Sequence, residues 1–474
     1  MYSREEIEAV VAEVLGRMNG HAAPKPPPAP AAGGRMPGVF ETMDQAVEAA
    51  EKAFFEFRGH TMEQRERYVA VLRRVGLEMK EPWSRAEEAE TKLGRWSHKV
   101  LKFDAVCKYT PGTEDLPTWA KTGDHGLTIE EYAPYGVVAA VTPSTHPCAT
   151  LICNGIGFLA AGNAGVFNAH PASKRVFAEA VAHLNRELVA AGAPENLLTT
   201  IAEPTVESAE AMFRHPKTRL ILVTGGPAVV NAALAVPKKA ITAGPGNPPV
   251  VVDATADLAT AARHLVAGAG FDNNVLCIGE KEVFCVDRVF DAFKRELLAQ
   301  GCVELDRPSI DRLATAAFPR HDGKVGLNRN LVGRNASVLA EAAGLRGLGS
   351  EVPLLIGEVD AAHDFVQEEQ LMPFLPLVRV RDVDEAIARS LDAEHGYRHT
   401  AVMHSRDVAA LSRMARACDC SIFVKNGPCF AGLGYGGEGY CSFSIASPTG
   451  EGLTSARTFA RKRRCTLVDS FRIV

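Results

Sequence analysis

Cys277 stands in the segment Phe271-Asp-Asn-Asn-Val-Leu-Cys-Ile-Gly-Glu-Lys-Glu-Val-Phe284, a polar, glycine-containing loop that leads into a strand. A thiol that does covalent chemistry needs open access and nearby N–H donors, and a loop at the start of a strand supplies both. The position alone does not single it out. The chain has 11 cysteines, and most cysteines are inert small hydrophobes. Cys153, inside the apolar stretch 151–161, is of that kind. Cys418 and Cys420 form a Cys-x-Cys pair, but no partner cluster completes a metal site, so both read as structural and no metal is expected.

The elements that position such a loop follow from apolar patterning. Residues 137–141 form an apolar strand, 151–161 an apolar helix, 164–167 a second strand and 173–191 a long helix. Residues 197–201, 219–223 and 249–252 repeat the strand pattern. Strands and helices in series give a parallel sheet with right-handed crossovers. A second alternating block follows, with strands at 282–286, 352–356, 376–380, 400–403 and 421–424, and helices in the 290s and at 384–391 and 407–417. Two α/β domains are the economical reading, over 39–245 (with 443–460 returning) and 246–442. Residues 118–133 differ: Gly123-Asp-His-Gly126 between two extended stretches predicts a hairpin.

Residues 1–18 read as an amphipathic helix, with Ile7, Val10, Val11, Val14, Leu15 and Met18 on one face and a Ser3/Glu6 capping box. A Pro/Gly/Ala-rich linker over 19–38 separates it from the body. The body is an ordinary globular composition, 46% hydrophobic and 23% charged with net charge −5, which gives no general attraction for nucleic acid or acidic membranes. Its one basic run, Arg461-Lys-Arg-Arg464, reads as a solvated surface or subunit contact. Scattered cysteines in odd number fit reduced thiols in a cytosol. No apolar run is long enough to span a bilayer, and the N-terminus has no secretory-type apolar core.

The Cys277 segment resembles the nucleophile region of the aldehyde dehydrogenase superfamily, and other segments agree in order. Thr142-Pro-Ser-Thr-His-Pro147 resembles the loop lining the aldehyde site, and Asn168-Ala-His-Pro171 the turn after the second cofactor-domain strand. Thr224-Gly-Gly-Pro227 resembles the turn facing the cofactor phosphates. Glu368-Glu-Gln-Leu-Met-Pro-Phe-Leu-Pro376 resembles the acidic segment that holds the nicotinamide ribose. Gly434-Tyr-Gly-Gly-Glu-Gly and Ser442-Phe-Ser-Ile-Ala-Ser-Pro-Thr-Gly-Glu-Gly452 resemble the C-terminal signature of the CoA-acylating branch. The match spans roughly residues 40–460. It implies the aldehyde dehydrogenase-like architecture, two doubly wound α/β domains, with a β-hairpin arm at 118–133 that joins 461–474 in oligomerisation, giving a dimer or tetramer.

The resemblance also implies roles. Cys277 is the nucleophile, with its own N–H and the Thr145 hydroxyl stabilising the oxyanion. Thr142, Pro143, His170, Pro171, Thr224, Gly225, Gly226, Gly244, Glu369 and Pro373 are expected to hold NAD. His146, Asn274 and Ile278 are expected in the aldehyde pocket. Hydrolytic members carry a glutamate, the base for water, at the position of Ala243 here. Without that base, attack by water is slow, and CoA, a better nucleophile, is the expected acyl acceptor. His170 replaces the usual lysine and His146 the usual asparagine before proline.

The resulting expectation is NAD-dependent oxidation of a short aldehyde, propionaldehyde foremost, to acyl-CoA with ping-pong kinetics. An acetaldehyde-specific enzyme, a hydrolytic aldehyde dehydrogenase and a non-catalytic scaffold remain as alternatives. A histidinol-dehydrogenase-like reading, suggested by Ala243-Gly-Pro-Gly-Asn247, lacks a zinc-ligand cluster. Residues 1–18 resemble the peptides that direct such enzymes into bacterial microcompartments, which implies a shell-protein partner and a location in the compartment lumen.

Overall fold

The computed structural model describes Ala9 and residues 36–321 and 324–474. The expected helix over 1–18 and nearly all of the linker lie outside the described residues. The chain forms two compact units. One holds residues 36–83 with Phe103–Gly244 and Cys441–Val474; the other holds Ser84–Lys102 and Pro245–Tyr440. Among the described residues no helix is long and apolar enough to cross a membrane.

The first unit is built on a six-stranded parallel sheet in the order Val39–Phe40, Leu198–Ile201, Ala164–Asn168, Val137–Val141, Thr218–Thr224, Lys239–Ala243. Every residue of Val137–Val141 and Ala164–Asn168 is buried, which explains their unbroken apolar character: a parallel strand is covered on both faces. The helix predicted over 151–161 spans Pro147–Ala161. It starts earlier because Pro147 occupies its first turn, where a missing N–H costs nothing, and it stops at Gly162, whose φ of +83° is the left-handed cap. The helix Lys174–Ala190 turns Phe177, Val181, Leu184 and Leu188 into the core.

The second unit carries a seven-stranded parallel sheet in the order Val303–Glu304, Leu355–Glu358, Phe374–Val380, Glu282–Val286, Pro249–Val252, Thr400–His404, Ile422–Lys425. Asp257, Asp382 and Asp407 cap three of its helices by accepting N–H groups of Thr260, Glu385 and Ala409. The strand expected from 376 begins at Phe374, so Pro376 lies inside it.

Two features differ from the sequence reading. Residues 84–102 group with the second unit although they fall inside the stretch 39–245, because Lys99 and Lys102 both reach the buried Asp272. The hairpin and the C-terminal strand, which offer little obvious internal partner in the sequence, partner each other. Trp119–Gly123 pairs with Gly126–Pro134, and Ala460–Val468 pairs antiparallel along the whole of that second strand, from Pro134 to Gly126. Gly126, at φ +113°, makes the tight turn possible.

Candidate active site

Four neighbouring strands of the second unit, Phe374–Val380, Glu282–Val286, Pro249–Val252 and Thr400–His404, start at one sheet edge, and a chemically notable residue lies ahead of each: Glu369, Cys277, Gly246 and His399. Gly246 marks where they meet. A Cβ built on it would lie 2.9 Å from the His399 ring and 3.0 Å from the Cys277 carbonyl oxygen, and its N–H donates to Glu369. Only a glycine lets the backbone pass this closely. Cys277 and Glu369 are partly solvent-reachable, whereas His399 is buried. Of the 11 cysteines only Cys277, Cys420 and Cys465 escape full burial, and the Cys420 thiol lies 3.0 Å from the Ile422 carbonyl.

Burial pushes the Cys277 thiol up to about 12; the Glu369 carboxylate adds to this, while Lys281 and Lys102 oppose it. Burial likewise pushes Glu369 up to about 7, against the pull of Lys281. His399 falls to about 4 through burial and the nearby Lys281 charge, so its ring is neutral at pH 7. Its Nδ1 is 2.9 Å from the Thr400 hydroxyl, and its buried Nε2 has no hydrogen-bond partner.

The loop ahead of Cys277 is backbone-strained. Asp272, Asn273 and Asn274 occupy the left-handed region in succession, at φ +49°, +53° and +64°. Asp and Asn tolerate that region better than other side chains, which is the local reason for Asp-Asn-Asn here. The surroundings hold the strain in place. Asp272 accepts the Arg95 N–H at 2.6 Å and faces Lys99 at 3.1 Å and Lys102 at 2.5 Å. Burial opposes its ionisation, but Lys102 and Lys99 outweigh it and keep the carboxyl well below its usual range. Its own N–H donates to His98 Nδ1 at 2.7 Å. Asn273 accepts from Arg95 Nε at 2.8 Å and donates to Gly333 and Asn335.

Two expected pocket residues take other roles. Asn274 donates to the carbonyls of Ala269 (2.8 Å) and Glu280 (2.9 Å), and its oxygen accepts from Lys281. Its side chain is spent on the loop, and the residue is 1% exposed. Ile278 has no exposed surface and belongs to the core. Pro373 is also buried, and its carbonyl pairs with the Leu355 N–H within the sheet.

The expected cofactor loops gather in the first unit. Thr142 and Pro143, His170 and Pro171, Thr224 to Gly226, and Gly244 lie at or just beyond the carboxyl ends of four adjacent strands. The chain reverses its direction of sheet growth between Val137–Val141 and Thr218–Thr224, the switch point at which open parallel sheets bind ligands. Gly226 caps the helix Pro227–Leu234, and a Cβ on it would meet nothing within 4 Å. The Thr142 hydroxyl is buried without a hydrogen-bond partner. The Thr224 hydroxyl is held at 2.7 Å by Ser444, from the returning C-terminal segment. His170 is exposed and caps the turn Pro171–Ser173 through Nδ1. Thr145 is half-buried, with its hydroxyl 2.9 Å from His146 Nδ1, and His146 is edge-on to Phe443. His146 is thus tied to Thr145, a link absent from the sequence reading. Ala243 ends its strand with its side chain 4% exposed.

The family model described as "Aldehyde dehydrogenase family" matches residues 38–440. The chain belongs to the aldehyde dehydrogenase family. It is 46% identical to an acetylating acetaldehyde dehydrogenase of Salmonella typhimurium over 100% of both chains. It is 42% identical to a CoA-propanoylating propanal dehydrogenase of the same organism, over 92% of this chain and 93% of that one. A solved structure of Rhodopseudomonas palustris propionaldehyde dehydrogenase, with bound CoA and an acylated cysteine, matches with TM-score 0.89 at 47% identity over 91% of this chain and 98% of that one. The CoA-acylating resemblance read from the motifs agrees with these relatives.

Proposed function

We propose that this chain oxidises a short aliphatic aldehyde, propionaldehyde foremost, to its acyl-CoA through a thioester on Cys277. The observation that carries the CoA reading is Ala243, a methyl group where hydrolytic relatives carry the base for water. A dinucleotide fits the carboxyl edge of the first unit's sheet: Gly226 leaves open space, the helix behind it offers N–H groups to a phosphate, and Thr142 has a buried hydroxyl without a partner. NAD bound there supplies the hydride acceptor. Thr142, Pro143, His170, Pro171, Thr224, Gly225, Gly226 and Gly244 would hold it.

The chain's own residues divide the remaining work. The Cys277 sulfur bonds to the aldehyde carbon, and the oxyanion is stabilised by the Cys277 N–H, such a donor contributing about 3–4 kcal/mol. The CoA thiol then discharges the thioester. Multiple-turnover NADH formation therefore requires CoA, and equal rates without CoA would falsify the assignment. Rates with two- to four-carbon aldehydes fix chain length; a preference for acetaldehyde removes the propionaldehyde part alone.

The apolar positions Ile7, Val10, Val14 and Leu15 in the sequence of residues 1–18 are the contact we propose for a microcompartment shell protein. Diffuse fluorescence of a reporter fused to residues 1–20, in cells with assembled shells, counts against this.

A further inference from the structure

Lys281 immediately precedes the strand Glu282–Val286, and its side chain is fully buried. The reaction outlined above leaves it without a task. A buried ammonium is tolerated only where its charge and its three N–H donors are answered. Here all three donors go to the loop ahead of the thiol: the carbonyl of Asn274 at 2.9 Å, the carbonyl of Leu276 at 3.0 Å, and the Asn274 side-chain oxygen. The loop so held contains the strained Asp-Asn-Asn run. Glu369 and Cys277 lie within the reach of its charge. Burial pushes Lys281 below its usual range, and those two groups pull it back.

We propose that Lys281 is a positioning residue for acyl transfer: its ammonium fixes the loop that aims the Cys277 sulfur and supplies the positive charge that favours thiolate over thiol. The proton released on ionisation passes to solvent. The proposal rests on Cys277 being the nucleophile. It differs from a purely structural role in one respect: loss of the charge must change how Cys277 titrates, beyond any loss of stability.

The test follows alkylation of Cys277 by iodoacetamide across pH in the full-length enzyme without substrates, quantified on the Cys277 peptide. Lys281→Gln keeps a donor for the loop but removes the charge. It is expected to raise the apparent thiol pKa by at least about one unit, roughly a tenfold slower reaction at neutral pH, and to lower kcat in step with little change in the KM for aldehyde. Lys281→Arg is expected to restore most of both. Lys281→Met extends the series if it folds; Gln and Arg carry the test if it does not. A pH profile unchanged in Lys281→Gln, with only a lower melting temperature, overturns the proposal and leaves Lys281 as structure. Full turnover by Cys277→Ala, or fastest labelling of another cysteine, would instead remove the nucleophile assignment and the proposal with it.

Discussion

At the scale of single residues, the site is a set of ionisable groups shifted by burial. Glu280 is the clearest case for stability. Burial raises its carboxyl to about 7, although the Cys429 N–H holds one oxygen at 2.8 Å. A carboxyl raised on folding stabilises below its unfolded pKa, and that contribution is lost as pH rises through the folded value. Buried neutral His98, His399 and His404, all lowered by burial, act in the opposite direction. The informative quantity is therefore the difference between parent and Glu280→Gln, whose amide still accepts from Cys429. The variant is expected to gain on the parent as pH rises from about 5 to 7, by up to about 1.4 kcal/mol per pH unit. Denaturant midpoints at several pH values measure this, and parallel pH curves would refute it.

At the scale of elements, the loop ahead of Cys277 depends on residues 95–102, far away in sequence. Asp272 answers two lysines that are 1% and 2% exposed. Removing one partner of a buried ionic cluster typically costs about 3–5 kcal/mol, so Asp272→Ala should lose stability on that scale in urea titration; a loss under about 1 kcal/mol would show that the cluster does not hold the loop. This network was not legible in the sequence. The placement of Cys277, Glu369 and the four loops of the first unit beside strand ends was, because each follows or precedes an apolar strand. Lys281, His399 and the Asp272 partners carry no local pattern: their meaning comes from strand order, which brings 249–252, 282–286, 374–380 and 400–404 side by side. Asn274 turns into its own loop and Ile278 into the core; proximity in sequence to Cys277 does not say which way a side chain turns. The Asp-Asn-Asn run was the available signal, a left-handed turn written in the residues that tolerate one.

At the scale of the whole molecule, the C-terminal strand and the hairpin form a three-stranded sheet that leaves Trp119, Leu467, Val468, Phe471 and Ile473 exposed. We propose that a second copy of the chain covers these side chains, and sedimentation should then give a multiple of the 50.8 kDa chain mass; a monomer at micromolar concentration rules it out. The acyl-enzyme on Cys277 can be trapped. Enzyme mixed with propionaldehyde and NAD, with CoA left out, should form NADH close to one per active site and then stall. Peptide mass spectrometry should find one propionyl group, on Cys277, and CoA should remove it as propionyl-CoA. An acyl group on another cysteine, or none while NADH keeps accumulating, would contradict the account.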